Sequence, residues 1–267
     1  MDQISFGTDG WRATLDQFTD RRVRIVGQAV ADTLAEAGAR AGAETDGADG
    51  AERPVVVGYD ARPTSEGFAE SLAEVLAGNG FDVLLPERDC PTPLVAHAIV
   101  ERGAAGAMMV TASHNPPEYN GVKFIPEDGA PALPEVTERI EANLRDPDLT
   151  AAGTDAEGAI ERVDLVTPHA EHARDLVAGE GSLDLSGLTV AYDAMHGSGR
   201  GVTDRLLERG GAEVTRLRCD RDTDFGGTAP EPVPERVETL VERVTEGNAA
   251  IGFVNDGDAD RLGVVTP

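Results

Sequence analysis

The chain has 267 residues, with 49 Asp and Glu against 23 Lys and Arg, for a net charge of −26. Apolar residues at 40% together with 31 glycines are the composition of a globular protein with a large core, which excludes a disordered chain. So acidic a surface repels nucleic acid and anionic membranes, and no apolar run approaches the ~18 residues that mark a membrane-spanning helix.

The opening Met1-Asp2-Gln3-Ile4 lacks the basic start and apolar stretch of a secretory signal. Cys90 and Cys219 lie far apart and form neither a C-x-x-C metal site nor a disulfide framework, so a reducing cytoplasm is the expected location. Of the 23 basic residues, 22 are Arg and one, Lys123, is Lys. Abundant acid with scarce lysine is expected of a halophilic protein, because molar salt shortens the Debye length to about 3 Å and screens self-repulsion.

A helix is predicted over 18–40, opened by Thr19-Asp20 and carrying Val23, Val26, Val30 and Leu34 on one face. Residues 42–53 (GAETDGADGAER) read as a solvated loop. The apolar run 54–60 predicts a buried strand, 64–77 a helix, 81–85 a strand, 94–102 a helix, 106–110 and 122–125 strands, and 134–144 a helix. The small, polar, acidic stretch 146–160 marks a boundary, giving domains 1–150 and 151–267. The alternation then restarts with a helix over 169–177, a strand over 188–192, a helix over 202–209, a strand over 213–217, a helix over 233–245, and strands over 250–254 and 262–265. Strands alternating with helices indicate βαβ units and an α/β fold with mostly parallel sheets. An end at Thr266-Pro267, directly after an apolar strand, reads as a piece of a longer protein.

Two segments carry chemistry. Residues 111–123 read TASHNPPEYNGVK and follow the apolar strand at 106–110, so they lie at the carboxyl edge of a parallel sheet, where open α/β sheets bind ligands. Ser113, so displayed, suits a phosphoryl carrier, and it is followed by His114 and Asn115. Lys123 can release a proton where arginine cannot, which fits an acid/base role. Residues 256–261 read DGDADR and follow a second apolar strand. Asp256, Asp258 and Asp260 repel one another unless a cation sits between them, and hard oxygens favour Mg²⁺ or Ca²⁺. An EF-hand is excluded because its positions 6 and 12 hold Arg261 and Pro267. In FGTDGWR at 6–12, Arg12 can reach a phosphate in bidentate fashion. Asp60 and Arg62 in GYDAR are expected to pair and brace the same edge, and DAMHGSGR at 193–200 reads as a tight strand-to-helix connection.

FGTDGWR, GYDARPTS, PTP at 91–93, TASHNPPEYNGVK, DAMHGSG, DFGGTAPEP and DGDADR together resemble the α-D-phosphohexomutase superfamily, in that family's order and over nearly the whole chain. The resemblance implies the first two of four domains, each an α/β/α sandwich with a mixed, mostly parallel sheet. It implies a phosphoserine at Ser113 and Mg²⁺ held by Asp256, Asp258, Asp260 and a phosphoserine oxygen. Lys123 becomes the general acid/base and His114 a catalytic neighbour, with Arg12, Asn115 and Arg261 binding a phosphosugar. The implied reaction interconverts hexose 1-phosphate and hexose 6-phosphate, of glucose or mannose, through a bisphosphorylated sugar. Two other readings stay open: a metal-dependent sugar phosphatase with an aspartate nucleophile, and an inactive segment that only binds a sugar phosphate.

Salt dependence follows from the charge. Circular dichroism from molar KCl down to tens of millimolar is expected to show unfolding or aggregation at the low end, because 26 net negative charges then repel unscreened. An unchanged spectrum and melting point would remove the salt-adaptation reading.

Overall fold

A computed structural model describes residues 4–7, 10–39, 53–150, 153–154, 157–179 and 183–267. The loop predicted at 42–53 lies, Arg53 apart, outside them. The first part of the chain runs β1 (Trp11–Thr14), α1 (Asp20–Glu36), β2 (Val55–Tyr59), α2 (Ser65–Gly78), β3 (Val83–Pro86), α3 (Thr92–Arg102), β4 (Gly106–Val110), β5 (Tyr119–Pro126), α4 (Pro134–Ala142), β6 (Ile160–Val163) and α5 (Val166–Ala178). The second runs β7 (Thr189–Asp193), α6 (Thr203–Arg209), β8 (Glu213–Leu217), α7 (Glu238–Thr245), β9 (Ile251–Asn255) and β10 (Leu262–Val265).

Six strands form one sheet in the order β1-β5-β4-β2-β3-β6. Its β4-β2-β3-β6 part is parallel, while β5 runs antiparallel to β4 and to β1. Both faces are covered, which explains why the central strands are continuous apolar runs. Successive side chains point to opposite faces. Val55, Val57, Tyr59, Met108 and Val110 therefore enter the core under α1 and α2, while Val56, Ala107 and Met109 enter the core under α3. The other four strands form a second sheet, β10-β9-β7-β8, parallel except for β10, with α7 packed on β7 and β9. This is the expected α/β architecture with two mixed, mostly parallel sheets. Among the described residues no helix is long and apolar enough to cross a membrane.

Four features differ from the sequence-based expectation. The first helix stops at Glu36, and Gly38 at φ 77° takes the chain into a left-handed turn that ends it. Trp11–Thr14 form an unforeseen strand in register with β5, Trp11 opposite Val122. Ile160–Val163, within the expected boundary stretch, form an edge strand parallel to β3. Three of its four residues are exposed, which is why no apolar pattern announces it. The helix predicted over 233–245 is broken. Pro234–Arg236 make a single 3-10 turn, Val237 leaves helical geometry at φ −117°, and α7 starts at Glu238.

The two sheets face each other through the carboxyl ends of their strands. β4 exits into Thr111-Ala112-Ser113, β9 exits into Asp256-Gly257-Asp258, and these two turns touch.

Candidate active site

The serine turn is built around a buried arginine. Ser113 has φ 50°, in the left-handed region that disfavours a residue with a Cβ by roughly 1–2 kcal/mol. Thr111 Oγ1 accepts the Ser113 N–H at 2.8 Å, and the Ala112 carbonyl accepts the Asn115 N–H at 3.0 Å. Arg62, only 1% exposed, holds the turn from beneath. Its Nη2 donates to the carbonyls of Ser113 (2.8 Å) and Asn115 (2.7 Å). Its Nη1 donates to those of Pro116 (2.7 Å) and Tyr119 (3.1 Å), and its Nε to Asp60 Oδ2 (3.0 Å). A guanidinium has five N–H groups, and all five are placed. Asp60 also accepts from Ser65 Oγ (2.7 Å), Thr111 Oγ1 (2.8 Å) and the Arg62 N–H (3.1 Å). The expected pairing of Asp60 and Arg62 is therefore present, and it reaches further than a brace between two side chains. Phe225, from the loop before α7, stands 5.2 Å from the Arg62 guanidinium carbon and covers its face.

The acidic turn meets the serine turn directly. Ser113 Oγ donates to Asp256 Oδ2 at 2.7 Å. Gly257 permits this approach, since a Cβ there would lie 2.6 Å from the Ser113 carbonyl oxygen. Asp256, Asp258 and Asp260 each offer a carboxylate oxygen, and these oxygens lie within 4.8 Å of one another. Asp256 and Asp258 are fully buried. Asp258 Oδ2 accepts from Thr92 Oγ1 at 2.7 Å and from Lys123 Nζ at 3.0 Å, while Asp258 Oδ1 is buried with no hydrogen-bond partner. Lys123 Nζ also reaches Asp260 Oδ2 at 3.1 Å. Hard carboxylate oxygens converging on one point, one of them buried and unpartnered, fit a divalent cation.

The electrostatics follow from that crowding. Burial, reinforced by Asp258, pushes Asp256 up to about 7, against the Ser113 hydrogen bond that favours its ionised form. Burial works to raise Asp258 as well, but the Lys123 ammonium overcomes it and holds the carboxyl below its usual range. Burial alone would lower Lys123, and Asp258 and Asp260 outweigh it, so the amine is held above its ordinary value. Burial lowers His114, and the positive charges of Arg261 and Arg12 lower it further, so the ring favours its neutral form. Its Nδ1 is buried without a hydrogen-bond partner.

The remaining candidates gather at the same place. Arg12 Nη1 donates to Asn115 Oδ1 at 3.2 Å. Gly10, at φ 81°, lets the preceding turn press onto β5, because a Cβ there would fall 2.1 Å from the Val122 carbonyl oxygen. The Arg261 N–H donates to Asp256 Oδ1 at 3.2 Å while its side chain stays exposed. All nine candidate residues thus lie on the two facing turns or on β1 and β5 beside them. Sequence reasoning assigned no contact to Thr92, whose N–H also donates to the Asp258 carbonyl at 2.9 Å. It likewise missed Asp89, which takes both Nη atoms of Arg200 at 2.7 Å. Arg200 lies in the glycine-rich turn after β7, whose Ser198 N–H donates to the Gly257 carbonyl at 2.9 Å, so that turn braces the acidic loop.

The chain is similar to known proteins over nearly its whole length. Residues 3–151 match the family model for phosphoglucomutase/phosphomannomutase, alpha/beta/alpha domain I, and residues 169–267 that for domain II. A phosphoglucosamine mutase of Synechococcus is 36% identical over 267 residues, covering 97% of this chain and 52% of that protein. One from Bordetella petrii is 33% identical over 265 residues, covering 97% of this chain and 56% of that protein. A solved structure from Thermus thermophilus, provisionally assigned as a phosphomannomutase, is 34% identical with a TM-score of 0.83, covering 99% of this chain and 57% of that one. The chain spans about half the length of the curated relatives it matches.

Removing the buried guanidinium leaves Asp60 without its cation and takes a donor from four carbonyls, of which that of Pro116 keeps the Tyr119 N–H. Arg62→Ala is expected to destabilise the chain by about 3–5 kcal/mol, read from the urea midpoint, with Arg62→Lys recovering only a minor part. A loss under about 1 kcal/mol for Arg62→Ala would show that the serine turn does not depend on this residue.

Proposed function

The chain belongs to the phosphoglucomutase/phosphomannomutase family, and we propose that it carries the phosphoryl-transfer centre of a hexose phosphate mutase. The observation that carries this reading is Ser113 Oγ at 2.7 Å from Asp256, within a three-carboxylate cluster that also binds the chain's one lysine. The substrate class is a hexose 1- or 6-phosphate. Glucose and mannose are the sugars first expected, and the phosphoglucosamine mutases among the matching relatives add glucosamine.

In the proposed cycle Ser113 Oγ is phosphorylated. The bond between Oγ and phosphorus breaks while a sugar hydroxyl oxygen bonds to the same phosphorus, and the hydroxyl proton passes to neutral Lys123 Nζ. The bisphosphorylated sugar then presents its other phosphate, the serine oxygen takes it back, and the proton returns to the sugar oxygen. Asp256, Asp258 and Asp260 would hold Mg²⁺, which supplies charge neutralisation for the transferring phosphoryl group. The chain's own residues do the positioning. Arg62 fixes the Ser113 carbonyl, Thr92 fixes Asp258, and the exposed Arg261 side chain is free to take a substrate phosphate. His114, held neutral, can donate or accept one hydrogen bond at the same centre. With its two carboxylates engaged elsewhere, Lys123 loses the partners that keep it protonated and becomes a usable base.

Labelling with a hexose bisphosphate carrying radioactive phosphate tests the assignment. Acid-stable label is expected on Ser113, absent from Ser113→Ala and strongly reduced by a chelator that removes Mg²⁺. Acid-labile label on Asp256, retained by Ser113→Ala, would instead establish a phosphatase-like aspartyl phosphate.

A further inference from the structure

Three of the chain's five histidines meet outside the phosphoryl-transfer centre. His97 lies in the middle of α3. His169 and His172 lie three residues apart near the start of α5, which places them on one face of that helix. Helix α5 packs against α3, bringing the His97 ring centre 5.6 Å from that of His169 and 4.6 Å from that of His172. Neither contact is a parallel stack, since the planes cross at 86° and 37°.

Crowded imidazoles repel when charged, and the surroundings favour the neutral form of His97 and His169. Burial lowers His97 and His172 lowers it further, and burial followed by His97 and His172 lowers His169. A neutral imidazole keeps a lone pair on one ring nitrogen, the form that binds metal. His169 Nδ1 is buried and makes no hydrogen bond, so packing leaves one nitrogen of the cluster unsatisfied. Glu101, one turn beyond His97, is close enough to favour positive charge there. His172 is exposed and gives an ion access from solvent.

The ring spacing of two of the three pairs suits a shared ion, although the nitrogens as placed do not converge as the Asp256, Asp258 and Asp260 oxygens do. Metal–nitrogen bonds of ~2.0–2.1 Å at tetrahedral angles put the centres of two ligating imidazoles about 5 Å apart. The two observed separations, 4.6 and 5.6 Å, fall on either side of that value. Aiming the nitrogens at one point requires rotation about χ2, a soft torsion for histidine.

We propose that His97, His169 and His172 form a surface site for a borderline divalent transition metal such as Zn²⁺, tying α5 to α3 and leaving a fourth position for water. Imidazole nitrogens favour such ions over Mg²⁺, so this site and the carboxylate cluster select different metals.

Cobalt(II) titration of the full chain in excess Mg²⁺ tests the proposal, because coordination number is visible in the spectrum. One equivalent is expected to give the intense visible bands of a four-coordinate site, bleached by Zn²⁺. His172→Ala, at an exposed position that the fold tolerates, should weaken binding by at least about tenfold, as should His97→Ala, while Asp258→Asn leaves it unchanged. Zn²⁺ should also raise the thermal midpoint of the parent chain but not of the His97→Ala, His172→Ala double variant. Only the faint bands of six-coordinate Co²⁺, or an affinity that His172→Ala leaves intact and Asp258→Asn removes, would overturn it.

Discussion

The Arg62–Asp60 pair is the constraint on which the site depends. Isolated buried ion pairs seldom stabilise a fold, because desolvation offsets their attraction. Here the pair escapes that balance by satisfying backbone. One guanidinium supplies donors to three carbonyls of an irregular turn and to that of Tyr119 where β5 begins, and one carboxylate anchors it at the end of β2. Ser113 can then stay in a left-handed conformation that its own sequence does not favour. Pro116 and Pro117 add to this, since neither has an N–H to bond and both stiffen the loop.

From that fixed turn the contacts run across to the second sheet. Gly257 brings backbone against the Ser113 carbonyl, Thr92 grips Asp258 from the N-terminus of α3, and Arg200 reaches back to buried Asp89. Phe225 closes over the guanidinium. Each contact joins a residue of one sheet's loops to a residue of the other's. The distance between Ser113 and the carboxylates is therefore set by several rigid attachments rather than by a single hydrogen bond, which suits the proposed phosphoryl transfer because such a reaction works mainly by positioning.

Much of this was legible in the sequence, for identifiable reasons. Apolar runs such as VVVGY and GAMMV can only be central strands, and the turns after them had to lie at the carboxyl edge of a sheet. The serine and acidic segments stood out because their chemistry is local: a serine between small residues and prolines, and three alternating aspartates. What stayed hidden depends on distant partners. β1 has four residues and shows itself only by pairing with β5, and β6 is an exposed edge. The Thr92–Asp258 contact joins positions 166 apart, and no local pattern encodes it. The break before α7 was readable in principle from Pro234, since proline opens a helical turn more readily than it sits inside one.

Lysine usage links the surface to the site. With 22 arginines and one lysine, the chain meets its structural needs for positive charge with a planar, permanently charged group. Arg62, Arg200 and Arg218 illustrate why, since each makes at least two directed bonds that an ammonium on a flexible stem would hold less well. Lys123 is placed differently. Its Nζ sits between Asp258 and Asp260, a compact charge filling a gap between carboxylate oxygens, and unlike an arginine it has a proton affinity that its neighbours can tune. An arginine at that position would satisfy the same carboxylates and keep its protons in every state of the site. Under the proposed cycle, a lysine rather than an arginine at this position supplies a removable proton beside the two facing turns.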